Sequence, residues 1–367
     1  MTRSEPAQPA GADVAPLTAH LQTLIAREGP LSISDFMHAA LAHPEHGYYV
    51  TRDPLGPPGD FITAPEVSQM FGEMIGLWVV QCWLEMGAPK PFRLVEWGPG
   101  RGTMMADMVR AARTHPDFFE ATEIHLVETS PVLRRAQRQT LGQIEVTWHD
   151  SPTIDGTTPF VVVANEFFDC LPIRQFVRTE RGWNERRIAI DNEGRFAFVV
   201  DPQAQPPEVD WPDGPVGSIF EYAPAAQAMI DGLSWALRRC PGRALILDYG
   251  HTETATADTL QAVRNHRVAD IFDAPGTSDL TAHVDFDALA RHARHSGARV
   301  DGPTTQRDFL LRLGIATRAE RLMAGATEAD RRLIARQLDR LISPKQMGTL
   351  FKAMAVSSPD SAAPQGF

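Results

Sequence analysis

Cysteine is scarce: there are three in 367 residues, Cys82, Cys170 and Cys240, far apart and with no CxxC pair. That excludes a disulfide framework or a cysteine-built zinc site, and the three read as buried thiols in a reducing compartment. Basic charge is also short. The formal net charge of −11 argues against a broad phosphate-binding surface, so nucleic acid is not an expected partner. Long apolar runs are missing as well. The longest, around Met74 to Met86, is interrupted by Gln81 and Glu85 and falls short of the ~20 residues that cross a bilayer, so no membrane insertion is expected. The first sixteen residues carry Glu5 and Asp13 among alanine and proline, without an apolar h-region or an Arg-rich face. They read as a flexible tail rather than a targeting segment, and a cytoplasmic location is the expectation. There is no GxSxG, no Walker loop and no zinc-deaminase signature. His292 and His295, set among arginines, read as a solvated helix face, so no metal site is expected.

What is present is an ordinary globular composition, 43% hydrophobic and 22% charged. The length allows two or three compact units or one large domain with insertions. Leu17, Leu21, Leu24 and Ile25 fall at helical spacing before Gly29-Pro30, and Ser34 can cap a second short helix that stops near His43-Pro44. After a Gly/Pro-rich loop from Asp53 to Gly59, Pro65 stands at a first helical position, and Val67 to Met86 predicts one long, largely buried helix. Residues 17–87 are therefore expected to form a helical N-terminal region, with Thr63 to Glu73 acting as a lid over a ligand.

From Phe92 short apolar runs alternate with helical patterns, the sign of a parallel sheet with crossover helices. The expected strands are Arg93–Glu96, Ile124–Glu128, Ile144–Trp148, Phe160–Ala164 and Ala244–Asp248, with two more near Arg299–Val300 and at Gly348–Val356. Arg174 to Val200, broken at Arg181-Gly182 and Asn192-Glu193-Gly194, predicts an antiparallel insertion. The expected organisation is a domain over 88–356 with insertions at about 173–222 and 303–345, and a second tail at 357–367.

Two segments carry the chemistry. The first is Leu94-Val95-Glu96-Trp97-Gly98-Pro99-Gly100-Arg101-Gly102-Thr103: strand, acidic residue, GxGxG, helix. Gly98, Gly100 and Gly102 permit φ > 0 and close approach of a ligand to backbone amides, and the helix N-terminus adds partial positive charge. The next strand ends at Glu128, 30 positions after Gly98, where a carboxylate can bind both hydroxyls of an adenosine ribose. A dinucleotide and S-adenosylmethionine both suit such a loop. Glu96 would repel a pyrophosphate but suits the cationic amino-acid end of S-adenosylmethionine. Asp150, past the third strand, either accepts from the adenine amino group or caps the following turn.

The second segment is the end of the fourth strand, Asn165-Glu166-Phe167-Phe168-Asp169-Cys170-Leu171-Pro172. In an open α/β sheet the ligand crevice lies beyond the carboxyl ends of the strands, so these groups should face the transferred methyl. Asn165 can hold a nitrogen nucleophile, and Glu166 and Asp169 share a face if a helical turn begins there. His283 and Asp285 stand at a helix start, where Asp285 can cap and His283 can orient a substrate.

The chain resembles the MidA-like family of class I S-adenosylmethionine-dependent methyltransferases over about residues 20 to 356. The resemblance rests on His46-Gly47-Tyr48-Tyr49, Asp60 to Glu73, the Glu96 to Gly102 loop, Val127-Glu128, Asn165 to Asp169, Leu247-Asp248-Tyr249-Gly250 and Thr281 to Phe286. Cys170 departs from it, standing where a small alanine is expected. The mitochondrial member of that family is an arginine methyltransferase that assists assembly of respiratory complex I. The resemblance thus implies a Rossmann-like, mostly parallel seven-stranded sheet, S-adenosylmethionine as cofactor, and a protein substrate such as a complex I subunit. It implies cofactor-binding roles for Thr63, Glu96, Gly98, Gly100, Gly102, Glu128 and Asp150, and catalytic roles for Asn165, Glu166 and Asp169. Two rivals from other classes are an assembly chaperone with a vestigial methyltransferase fold and an NAD-dependent oxidoreductase.

Overall fold

The structure is a computed structural model that describes residues 15–52, 63–202 and 207–367. Most of the expected N-terminal tail, the Asp53 to Gly59 loop and Asp60 to Ile62 lie outside the described residues.

The centre is one sheet whose strands are β1 (Phe92–Trp97), β2 (Thr122–Val127), β3 (Thr147–His149), β4 (Phe160–Asn165), β5 (Gly242–His251), β6 (Arg299–Thr305) and β7 (Phe351–Ser357). Their spatial order is β3-β2-β1-β4-β5-β7-β6, and the two-residue strand Val284–Asp285 adds to the end of β5. The first five are parallel, whereas β7 runs antiparallel between β5 and β6. The order reverses between β1 and β4, which opens a crevice at their carboxyl ends.

Alternation along the strands decides which layer each side chain enters. Leu94, Val161, Val163, Leu245 and Leu247 join one core cluster, while Val95, Trp97, Val162, Ala164, Ala244 and Ile246 join another. Both faces are covered, so these strands read as continuous apolar runs. At roughly 1.5 to 3 kcal/mol for each fully buried large side chain, this double burial is the main force holding the sheet.

The N-terminal helices are α1 (Pro16–Glu28) and α2 (Ile33–Ala42). The cap of α2 is Ser32, whose Oγ accepts from Asp35 N, rather than Ser34 as expected, because the extended backbone needed at a cap falls at Ser32. The long helix is likewise shorter than the pattern suggests. A turn at Ala64–Val67 is separated from α3 (Gln69–Glu85) by Ser68, which is extended and caps α3 through Met70 N. One face of α3 lies on α4 (Thr103–Ala112), the helix that follows the glycine loop. Gly76 makes that contact possible, since a Cβ there would stand 2.7 Å from Met108 Cα.

The insertion after β4 is antiparallel, with strands Arg174–Thr179, Gly182–Ile190, Phe196–Asp201 and Ile219–Tyr222, and Leu31–Ser32 pairs on its edge. The α1/α2 pair packs on it through Leu17, Leu21, Phe36 and Ile188. On the main sheet lie α5 (Pro131–Leu141), α6 (Pro224–Leu237) and α7 (Phe286–His295). The helical block after β6 comprises Gln306–Leu313, Ile315–Ala324 and Glu328–Ile342. It is tied to α3 by Arg318 Nε, 2.8 Å from Glu73 Oε2.

Two further expectations are corrected. The third strand is confined to Thr147–His149, because only those residues pair with β2. The C-terminal residues do not form a free tail. Trp78 Nε1 donates to Gln365 O at 2.9 Å, Arg243 donates to Ala362 O at 3.0 Å, and the Phe367 ring lies 5.2 Å from that of Phe309. Composition signals a tail there, but the segment's carbonyls accept from donors in the packed layers.

Candidate active site

The glycine loop leaves β1 with Gly98, Gly100 and Gly102 at φ 65°, 54° and 82°, the left-handed region that glycine enters without penalty. A Cβ on Gly98 would stand 2.7 Å from Phe167 Cδ2, so the loop also needs glycine for space. Glu96, one strand position earlier on the α3/α4 side, is 1% exposed and its Oε2 has no hydrogen-bond partner among the described residues. Burial pushes its carboxyl up to about 8. A buried acceptor left without a donor is rare in a finished site and marks a place where a ligand supplies one.

Glu128, beyond the end of β2, is aimed by its neighbours. Ser130 N donates to Oε1 at 2.7 Å, and Gln137 Nε2 donates to Oε2 at 3.1 Å. Gln137 also donates to Gly100 O at 2.7 Å, binding α5 to the glycine loop. Burial raises the Glu128 carboxyl, and the donors from Ser130 and Gln137 oppose it. Ser130 Oγ in turn donates to Tyr49 O at 2.6 Å, which brings the His46 to Tyr49 motif against this corner. Asp150 is oriented differently: its side chain is 84% exposed and pairs with Arg134 at 2.6 Å. Arg134 also donates to Glu128 O and His149 O, so it ties together the ends of β2 and β3.

At the end of β4, Glu166 has φ 48°, unusual for a residue with a Cβ. The conformation turns the next three amides inward, and the N–H groups of Phe167, Phe168 and Asp169 all donate to Asp248 Oδ2 at 3.1, 2.9 and 3.2 Å. Asp248 Oδ1 takes a fourth amide, from Tyr249. Burial, with Asp169 and Glu166 nearby, pushes Asp248 well above the usual carboxylate range. One wholly buried carboxylate on β5 therefore fixes the loop that carries Glu166 and Asp169.

Glu166 Oε1 accepts from Ala64 N at 2.8 Å and Asn165 Nδ2 at 3.2 Å. Thr63, half-buried and extended, precedes the turn whose first amide makes that contact, and Glu66 of the same turn accepts from Thr103 Oγ1 at 2.6 Å. Burial, with Asp169 adding, moves Glu166 up to about 7. Asp169 is also raised by burial, and Tyr249 opposes the shift through a side-chain hydrogen bond. Asn165 Oδ1 and Asp169 Oδ1 are buried acceptors without a partner among the described residues. Cys170 donates its thiol to Phe167 O, a bond that alanine could not make.

The structure thus gathers Thr63, Glu96, the three glycines, Glu128, Asn165, Glu166 and Asp169 at the carboxyl ends of β1, β2 and β4, with Asp150 at the exposed margin. His283 packs its ring on Tyr249 at 5.5 Å, and Asp285 caps α7 through Ala288 N. Gln137 and Arg134 were not singled out from the sequence, and Asp248 and Tyr49 stood there only inside motifs, without a role. Asp248 offered a signal, a lone carboxylate closing the apolar run Ala244–Leu247, whereas Gln137 sits in an ordinary polar helix and offered none.

Among the described residues no helix is long and apolar enough to cross a membrane. The family model of S-adenosyl-L-methionine-dependent methyltransferases matches residues 74–304. A protein of Burkholderia thailandensis crystallised with S-adenosyl-homocysteine superposes with a TM-score of 0.85 at 32% identity, covering 96% of this chain and 94% of that one. Fold and site together define a class I, S-adenosylmethionine-dependent methyltransferase, and the residues at the crevice fit that cofactor: an orphaned buried carboxylate, a glycine cradle and an oriented acidic residue on the next strand.

The protein arginine methyltransferase NDUFAF7, mitochondrial, of Mus musculus is 37% identical, over 96% of this chain and 86% of its own. The Drosophila melanogaster homologue of the same name is 34% identical, over 93% and 84%. The chain belongs to the MidA-like family of S-adenosylmethionine-dependent methyltransferases. These relatives are named mitochondrial, which overturns the cytoplasmic expectation. That expectation had rested on N-terminal composition alone.

Proposed function

We propose that this enzyme is a protein-arginine N-methyltransferase acting on a partner protein such as a subunit of respiratory complex I. The observation that carries the reading is the cluster of acceptors at the end of β4: half-buried Glu166, with the buried Asn165 Oδ1 and Asp169 Oδ1 beside it, neither of which has a partner among the described residues. A guanidinium has five N–H donors and no acceptor, so it complements a pocket that leaves several acceptor oxygens free. The names of the relatives support the same choice.

S-adenosylmethionine, when bound, supplies an electrophilic methyl group. Gly98, Gly100 and Gly102 admit it to the loop amides, Glu128 holds the ribose hydroxyls, Glu96 faces the cationic amino-acid end, and Thr63 and Asp150 complete the rim. Asp169 grips the guanidinium and draws its charge onto the nitrogens away from the attacking one, while Asn165 and Glu166 hold that nitrogen. The nitrogen forms its bond to the methyl as the sulfur–methyl bond breaks, and the proton it sheds passes to Glu166, whose carboxyl near pH 7 is matched to that task. The helical N-terminal region walls the site, as the contacts from Ala64 to Glu166 and from Ser130 to Tyr49 support.

The test is incubation with methyl-labelled cofactor and an extract of cells lacking their own enzyme, followed by mass spectrometry of the labelled protein. Glu166→Gln should lower methyl transfer by about a hundredfold, the scale of one charged transition-state contact, with cofactor affinity nearly unchanged. Full turnover by Glu166→Gln, or a product on lysine, glutamine or a small molecule, refutes the arginine reading.

A further inference from the structure

Behind the loop that carries Asp169 lies a cavity of about 700 Å³ that the chemistry above does not use. Phe168, Phe220 and Tyr222 give it an aromatic side, and α6 and α7 wall it with Ala226, Ala288 and Leu289. It shares a partition with the acceptor cluster. Ala282 and His283 line the cavity, yet Ala282 N donates to Asp169 O at 2.9 Å and the His283 ring packs on Tyr249, the residue that hydrogen-bonds Asp169.

Its charged lining is one-sided. Glu208, Asp210, Glu221 and Asp285 face it, against Arg291 as the one arginine or lysine in the lining. That positive charge is already engaged, because Arg291 lies 3.6 Å from Asp287 and donates to Thr254. Two of the four lining histidines have carboxylate neighbours of their own: His251 faces Asp285 at 3.7 Å, and His292 faces Asp231 at 3.7 Å, whereas His283 packs on Tyr249. Glu208 and Asp210, both exposed where they line the cavity, have no ion pair among the described residues. Aromatic faces beside unneutralised carboxylates favour a cation on an apolar stem, through cation–π attraction and burial of the methylenes.

We propose that this cavity is a second subsite for the protein substrate, taking a lysine or arginine side chain that flanks the methylated residue. The inference rests on the protein-arginine reading given above. Phe168 and Asp169 are adjacent in the chain, and an extended peptide advances about 3.3 to 3.6 Å per residue, so a basic residue a few positions from the target can reach the cavity.

Fluorescein-labelled peptides test this by anisotropy, which needs no turnover. One peptide carries a single arginine among glycine and serine; the others add a second lysine or arginine three to six positions away, or glutamine at the same places. The second basic residue should tighten binding at least fivefold at one spacing, and glutamine should not. Glu208→Lys with Asp210→Lys should abolish the gain, as should Ala257→Trp, which fills the cavity, while the single-arginine peptide binds as before. No gain in the wild type, no binding of any peptide at millimolar concentration, or a gain that survives both variants overturns the subsite. Methylation of the bound peptide is read separately by mass spectrometry: a basic-residue gain without methylarginine keeps the subsite and sinks the arginine reading.

Discussion

Replacing Glu96 by glutamine should make the free protein more stable and a poorer binder of its cofactor. Glu96 is buried against the α3/α4 layer with one oxygen unpartnered, and burial moves its carboxyl from the ordinary 4.5 to about 8. Between those values the native protein holds a proton that the unfolded chain has released, so this group's contribution to stability falls as the pH rises. The contribution is complete below about pH 4.5 and gone above about pH 8. At about 1.4 kcal/mol per pH unit, the wild type should lose roughly 3 kcal/mol more than Glu96→Gln between pH 5.5 and 8. Other buried carboxylates, Glu166 among them, contribute equally to both proteins and cancel. Urea unfolding of the cofactor-free proteins across that range measures the difference. A cationic ligand at Glu96 should draw its carboxyl, raised by burial to about 8, back to the charged form, so binding of S-adenosylmethionine at pH 7 should release close to one proton. Calorimetry in phosphate and in Tris reads that proton as a difference in apparent enthalpy, and in Glu96→Gln the difference should vanish as affinity falls. Parallel pH profiles for the two proteins, with no buffer dependence in the wild type, would refute the reasoning.

Glu128→Ala should weaken S-adenosylmethionine at least about tenfold by calorimetry, since hydrogen bonds to a charged acceptor contribute roughly 1.5 to 3 kcal/mol each. Gly98→Ala combines a left-handed backbone, costing about 1 to 2 kcal/mol, with a Cβ 2.7 Å from the Phe167 ring; melting temperature and cofactor affinity should both drop. Asp248→Asn keeps the shape but replaces one acceptor oxygen by a donor beside inward-facing amides. Methyl transfer should fall by about tenfold or more, the scale of a buried donor left facing other donors, while cofactor affinity stays within about threefold. Equal losses in both readouts would make Asp248 a general scaffold residue rather than the group that positions the Glu166 loop.

What the amino-acid sequence determined by itself was local. Glycines at 98, 100 and 102 permit the left-handed backbone that the loop adopts, and Glu96 and Glu128 stand at the carboxyl ends of two strand patterns. The antiparallel insertion was legible for the same reason, from β-rich runs broken at turns. The acceptor cluster at Asn165, Glu166 and Asp169 was legible as a polar end to an apolar strand. The tertiary structure alone decided how those pieces are held. Asp248 lies about eighty residues from the amides it gathers, Gln137 links Glu128 to Gly100 from a separate helix, and the carbonyls of 362, 365 and 366 find donors on β5, α3 and the helical block. Propensity and periodicity reach only along one element, whereas a buried carboxylate or carbonyl is satisfied by whichever donor the packed layers bring within 3 Å or so, and that partner can lie anywhere in the chain.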